Sequence, residues 1–137
     1  GDVAESLQGV SPADLAHFGR CFWEIEQIGR DWRYWQSTVP FHQHYSGREH
    51  VLWGNDDFYK AVSLGKAYLR GQKAWGKPGI VVSLMRDLPV TLYTGEPTDT
   101  NVAILLPHNS DHVSALWYFC TSEDFGTSVR RIDQAML

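Results

Sequence analysis

Few residues in this chain combine the types and the spacing that chemistry needs. His42 and His44 stand two apart, which on an extended segment puts both imidazoles on one side, and His50 follows. A zinc site takes about four ligands, and no cysteine lies nearby to complete one. Glu96 and Asp99 can serve as an acid–base pair. They sit, however, in a Gly-Glu-Pro-Thr-Asp turn, where carboxylates ordinarily shape the backbone. Ser83 and His108 are a possible nucleophile and base by type, but no spacing joins them. The segment Arg70-Gly71-Gln72-Lys73-Ala74-Trp75-Gly76-Lys77 differs in kind, because it interleaves three cations with an aromatic and two glycines. Lys and Arg neutralise phosphates, and glycine lets backbone N–H groups approach them closely. Trp75 can stack on a sugar or base, or fill the core.

Contiguous catalytic motifs are missing. The sequence holds no Gly-x-Gly, so it carries neither a dinucleotide loop nor the glycine-rich turn of a methyl-donor site, and it holds no Gly-Lys-Ser/Thr phosphate loop. It also has no Asn/Asp-Pro-Pro-aromatic run, with which amino-methylating enzymes hold a flipped base, and no Asp/Glu-x-Lys triplet of the commonest nuclease site.

The elements that must position these residues centre on Lys73–Leu106. Three apolar runs there, Ile80–Met85, Leu88–Tyr93 and Val102–Leu106, are bounded by Gly, Pro, Asn or Asp and read as consecutive strands of a small curled sheet. Upstream, residues 1–10 carry no pattern and are expected to fray. Ser11-Pro12-Ala13-Asp14 starts a helix whose buried face is Leu15, Phe18, Phe22 and Ile25 and whose end is Gly29. Asp31–Gln36 and Arg48–Trp53 read as strands, and Phe58–Leu69 as a helix weakened by Gly65. Asn109 or Ser110 caps a helix through Val113, Leu116, Trp117 and Cys120, and Ser122-Glu123-Asp124 starts another. Phe22 and Trp117 are expected to share one core. Strands and helices mix without a regular βαβ alternation, so the expected class is α+β: a small curled mixed or antiparallel sheet with flanking helices, in one domain over residues 1–137.

Charge is uneven. The net charge is −4, yet Phe58–Arg86 has no Asp or Glu and holds Lys60, Lys66, Arg70, Lys73, Lys77 and Arg86. Such asymmetry can place a basic surface on an acidic body, although a run of cations is also what an ordinary solvated face looks like. No apolar run approaches the ~18 residues of a membrane span. Cys21 and Cys120 are isolated, both on expected helices, and two such cysteines make no disulfide framework, so a reducing cytoplasm is expected. The first residue is Gly without a Met, as in a trimmed or excised chain.

Ala74-Trp75-Gly76-Lys77-Pro78-Gly79-Ile80-Val81-Val82-Ser83-Leu84-Met85, followed by Leu88–Glu96 and Asp99-Thr100-Asn101, resembles the target-recognition region of adenine-specific DNA methylases. The nearest likeness is to the methylase subunit of type II restriction–modification systems, with methylases of phage-defence systems sharing Arg20–Glu24 and Gly29–Trp32. Ala115–Cys120 and Ser128–Gln134 continue the similarity, which covers about residues 15–135 as a long graded match. The family usually has Gly where this chain has Arg86, so that turn is expected to differ.

The resemblance implies a module that reads double-stranded DNA, akin to half of a type I specificity subunit and not catalytic by itself. Catalysis, S-adenosylmethionine and in some cases a restriction endonuclease belong to the parent protein, whose catalytic methylase domain is the expected partner. The fragment itself is expected to hold no cofactor and no metal. The candidate DNA contacts are Arg70, Lys73, Trp75, Lys77 and Arg86, with His44, Tyr45 and Arg48 from the preceding loop and strand. Arg86 is the candidate for a bidentate base contact; as a surface residue it can equally pair with Asp87. Two rivals stand beside this reading. One is a subunit-docking module with its aromatics at the interface, favoured if the cations scatter over several faces. The other is a small metal-dependent hydrolase using His42, His44 and Asp99.

Overall fold

The computed structural model describes the chain apart from residues 1–2, 12–17, 27, 29–30, 54–55 and 137. It is an α+β protein with two antiparallel sheets and three α-helices among the described residues. The first sheet has the order β1-β7-β5-β6, built from β1 (Ala4–Gln8), β5 (Gly79–Ser83), β6 (Val90–Tyr93) and β7 (Val102–Pro107). The second has the order β2-β4-β3, built from β2 (Gly19–Cys21), β3 (Trp32–Trp35) and β4 (His50–Trp53). The helices are α1 (Asp56–Ser63), α2 (Val113–Cys120) and α3 (Glu123–Met136).

β5 is the centre of the larger sheet, and all five of its residues are buried. Its side chains alternate, as a strand's must. Ile80 and Val82 pack with Val90 and Cys120 against the α2 side, with Leu116, Trp117 and Phe125 around them. Val81 packs on the other face with Ala74, Tyr93, Val102, Ile104 and Leu106. A strand covered on both sides reads as an unbroken apolar run, which is why Ile80–Ser83 is plain in the sequence. A separate core of Val10, Phe18, Trp35, Leu52, Phe58 and Ala67 joins α1 to the smaller sheet.

The three expected strands therefore form, but two are shorter. β5 stops at Ser83 and β6 starts at Val90, so Leu84, Met85 and Leu88 belong to the turn between them. Four other expectations are corrected. Residues 4–8 do not fray: β1 pairs with β7 from Ala4↔Pro107 to Gln8↔Ala103. The start of the helix expected from Ser11 falls in residues 12–17 and its end at Gly29, outside the described residues, but its second half is not helical. β2 and a 3₁₀ turn, Phe22–Glu24, stand there, so Cys21 is on a strand. Phe22 donates its N–H to the Glu49 carbonyl at 2.9 Å, and the Cys21 N–H is taken by Glu24 Oε2 at 2.7 Å. Cross-strand pairing outweighs a short helical periodicity carried by Cys, Phe and Trp, which are weak helix formers. Phe22 is consequently 42% exposed and shares no core with Trp117.

The helix expected over Phe58–Leu69 ends at Ser63. Gly65 takes φ +71°, its N–H reaches the Val62 carbonyl and the Lys66 N–H reaches the Ala61 carbonyl. That pair of bonds is a Schellman cap, for which Gly is the natural residue. α2 begins where expected, after Asn109 Oδ1 accepts the Asp111 N–H at 3.0 Å and a 3₁₀ turn over Ser110–His112.

The free edge of β6 is not bare. The His44 carbonyl accepts the Leu92 N–H at 2.9 Å, and Gln43 donates its N–H to the Val90 carbonyl at 3.1 Å. His42 Nδ1 accepts the Val90 N–H, and Arg48 Nη2 donates to the Leu92 carbonyl at 2.8 Å. Residues 42–48 thus run along β6 and occupy a ladder that would otherwise invite a foreign strand. The loop before β5 is fastened as well, by the Gly76 N–H to the Gly95 carbonyl at 3.0 Å. A Cβ on Gly95 would lie 2.7 Å from the Gly76 backbone, and its φ of +102° belongs to glycine.

Candidate functional site

These two fastenings bring most of the candidate residues to one side. Lys77 and Pro78 lie between two shallow clefts. One is lined by Glu5, Lys73, His108 and Ser110 as well, the other by Tyr45, Leu92, Thr94 and Val113. Lys73 and Lys77 therefore share a cleft, and Lys77 and Tyr45 share the next. Arg48 continues the row, with its guanidinium carbon 5.8 Å from the centre of the Tyr45 ring. His44 lies beside it, stacked on Trp117 at 5.0 Å.

The charges of this row are partly met. Lys73 Nζ is 2.7 Å from Glu5 Oε1, and that hydrogen bond holds the Glu5 carboxyl below its ordinary range. Arg48 Nε is 3.6 Å from Glu96 Oε2, too long for a hydrogen bond but within reach of the charge. Lys77 is exposed, and its side chain has no hydrogen-bond or ion-pair partner among the described residues. It is the cation most available to a phosphate.

The remaining candidates stand apart. Arg70 bonds Gln8 Oε1 at 2.9 Å on β1 and lies over Tyr68, at the opposite edge of the sheet. Trp75 is half-buried against the α1 core, its Nε1 buried, with Arg33 over its ring at 5.5 Å. That placement fits the core role. Arg86 sits in the β5–β6 turn, at the far end of β5 from Lys77, exposed and unpaired among the described residues. Lys60 is on α1 and Lys66 just beyond it. The six cations of the basic window thus divide among several places, and a row of Lys73, Lys77, Tyr45, Arg48 and His44 is what the fold assembles.

The other chemical sets do not assemble. His42 holds the Val90 N–H, His44 stacks on Trp117, and His50 lies against Trp35 at 6.4 Å. Among the described residues no three His, Cys, Asp or Glu are grouped to hold a metal. Asp99 shapes its turn, accepting from the Asn101 N–H and from Ser37 Oγ. Ser83 is buried with its Oγ accepting the Val39 N–H at 2.8 Å, and β7 separates it from His108. No described helix is long and apolar enough to cross a membrane.

Sequence reasoning missed the exposed apolar groups of the turn, Leu84 (55%) and Met85 (47%), and Phe41 (60%). The signal available was the Arg86-Asp87 pair directly after them, which marks where the strand ends.

Cys120, buried beneath β5, has its thiol pushed up to about 11 by burial, and burial raises the Tyr93 phenol well above its usual value, with Glu96 adding to it. Both groups fold in their neutral form. Their contribution is present below the unfolded values and is lost as pH rises through the folded ones. The stability read from urea unfolding should therefore fall between about pH 9 and 11, by ~2 kcal/mol for Cys120 alone. Cys120→Ala should flatten this fall; an equal fall in both proteins would separate it from the thiol.

No family model and no curated protein matches the chain.

Proposed function

We propose that this chain is the sequence-specific recognition module of a restriction–modification DNA N6-adenine methyltransferase, acting on double-stranded DNA in the cytoplasm. It does no chemistry itself. A catalytic domain of the same protein binds S-adenosylmethionine and transfers the methyl group. The observation that carries this reading is the row that crosses one end of the sheet from Glu5 of β1 to β6: Lys73 and Lys77 flank a cleft, Tyr45 and Arg48 follow, and Arg86 stands at the other end of β5. Cations in a row meet a phosphate backbone, while an arginine on a turn can reach base edges. The resemblance through Ala74–Asn101 points the same way, and the α+β class of the fold is compatible with it.

The test is selection. The purified chain is incubated at low salt with a pool of randomised duplexes, and the retained DNA is sequenced. A recurrent short motif is the expected result. Retained DNA no different from the input pool would remove sequence-specific recognition. That outcome would favour a second reading, a subunit-docking module, for which the division of the six cations among several places and the exposed group of Trp23 (64%), Phe22 and Tyr34 on the smaller sheet both speak.

A further inference from the structure

The turn between β5 and β6 is built to hold apolar side chains out of the fold. Its base is closed by the Ser83 N–H to the Pro89 carbonyl at 2.8 Å. The Leu84 N–H is fixed to the Asn101 carbonyl at 2.9 Å and the Leu88 N–H to the Met85 carbonyl at 3.0 Å. Leu88 packs inward against the α2 core and adopts φ +48°, a conformation that a side chain with a Cβ rarely takes. A strained anchor and three backbone bonds thus fix a tip on which Leu84 is 55% and Met85 47% exposed, with Arg86 beyond them.

Phe41 joins them. Val39 is bound to Ser83 Oγ, and His42 and Gln43 are bound to Val90, so the chain between crosses the turn end of both strands. Phe41, 60% exposed, lies in that crossing. Three large apolar groups and a guanidinium with no partner among the described residues therefore share one end of the sheet. Asp87, the turn's one acid, lines a cleft with His42, Glu123 and Arg130.

Resting on the DNA-recognition reading, we propose that this tip is a wedge: Leu84 and Met85, backed by Phe41, enter between base pairs of the bound duplex while Arg86 holds the adjoining backbone or base edge. Leu, Met and Phe are side chains that unstack base steps in this way. Arg86 at the tip and Lys77 at the far end of β5 both call for an anion, and a duplex offers phosphates to both along one backbone. The spacing also fits. β5 has five residues, so the tip lies roughly 16 Å from the Lys77 end, about half of the ~34 Å repeat of the duplex. One duplex can lay a phosphate run on Lys77 and present a groove to the turn.

The experiment uses the selected duplex with 2-aminopurine replacing each adenine of the motif in turn. Bound wild-type chain should raise the fluorescence several-fold at one position, as unstacking does. The Leu84→Ala/Met85→Ala variant should still bind, with its fluorescence near that of free DNA, and Lys77→Ala should bind more weakly yet give the full rise at saturation. Both altered residues are exposed, so an unchanged melting temperature checks the fold, and Met85→Leu should restore the signal. Wild type that binds without any rise, or a double variant with the full rise, overturns the wedge and leaves the recognition reading standing. Absence of any duplex binding overturns both.

Discussion

Raising the salt from 50 to 200 mM should lower the affinity of the chain for duplex DNA about 60-fold. Each phosphate contact releases condensed counterions, so three or four contacts give a slope of log K against log salt of roughly −3. Lys77 and Arg86 stand free for such contacts, while Lys73 and Arg48 must first exchange Glu5 and Glu96 for phosphate. The Lys73–Glu5 pair is the more exposed and is worth little, so that exchange is easy, whereas Arg48, largely buried and bonded to the Leu92 carbonyl, yields less readily. Lys77→Ala should flatten the slope by about one unit and weaken all duplexes alike. Lys73→Ala should flatten it less, because Glu5 already meets much of the Lys73 charge. Arg86→Ala should cost the selected sequence ~1–3 kcal/mol more than an unrelated duplex, if its guanidinium reads a base edge. Electrophoretic or fluorescence titrations at four salt concentrations check all of this. A slope near zero would take DNA away from this surface.

The second large effect is on stability. Phe58→Ala should cost ~3–5 kcal/mol, a large share of what holds a domain of this size together. Phe58 is 2% exposed on α1 and meets Phe18 edge-on at 5.3 Å, in the core that ties the helix to the smaller sheet. Truncation there leaves a cavity with little freedom to collapse. Phe22→Ala, although the same substitution, should cost under ~1 kcal/mol, since Phe22 is 42% exposed and its ring contacts among the described residues are with Trp23 and Tyr34. Urea midpoints of the two variants decide it. Equal losses would mean that the smaller sheet is covered on its outer side as well.

That contrast shows where sequence reading succeeds and where it stops. Ile80–Ser83 is legible because a strand buried on both faces is apolar at every position, and Asn109 is legible because capping is a local event. Gly65 gave notice of a weak helix, though not that it would end there. β1 was invisible: Ala-Glu-Ser-Leu-Gln has no strand-forming run, and only its distant partner β7 makes it a strand. Phe18 and Phe22 share a helical spacing, yet the pairing of β2 with β4 puts one inside and the other out. The candidate site divides likewise. The cations of the loop before β5 were legible as a cluster by adjacency alone. Their alignment with Tyr45 and Arg48 was not, since it depends on residues 42–48 lying along β6, which only backbone hydrogen bonds decide.

The pairing of β1 with β7 also sets a timetable for folding. The two strands are separated by roughly a hundred residues, and β7 is sandwiched between β1 and β5. On a ribosome, at ~5–20 residues per second, the first strand must wait several seconds before its partner exists. β5 and β6 can form a hairpin as they emerge and β7 can then add to the other side of β5, whereas β1 has to be captured last, closing the longest loop in the domain at the greatest entropic cost. Until then one edge of β7 is open to any extended chain nearby. The nascent protein is thus most prone to mispairing in the interval between the completion of β7 and the return of its own beginning.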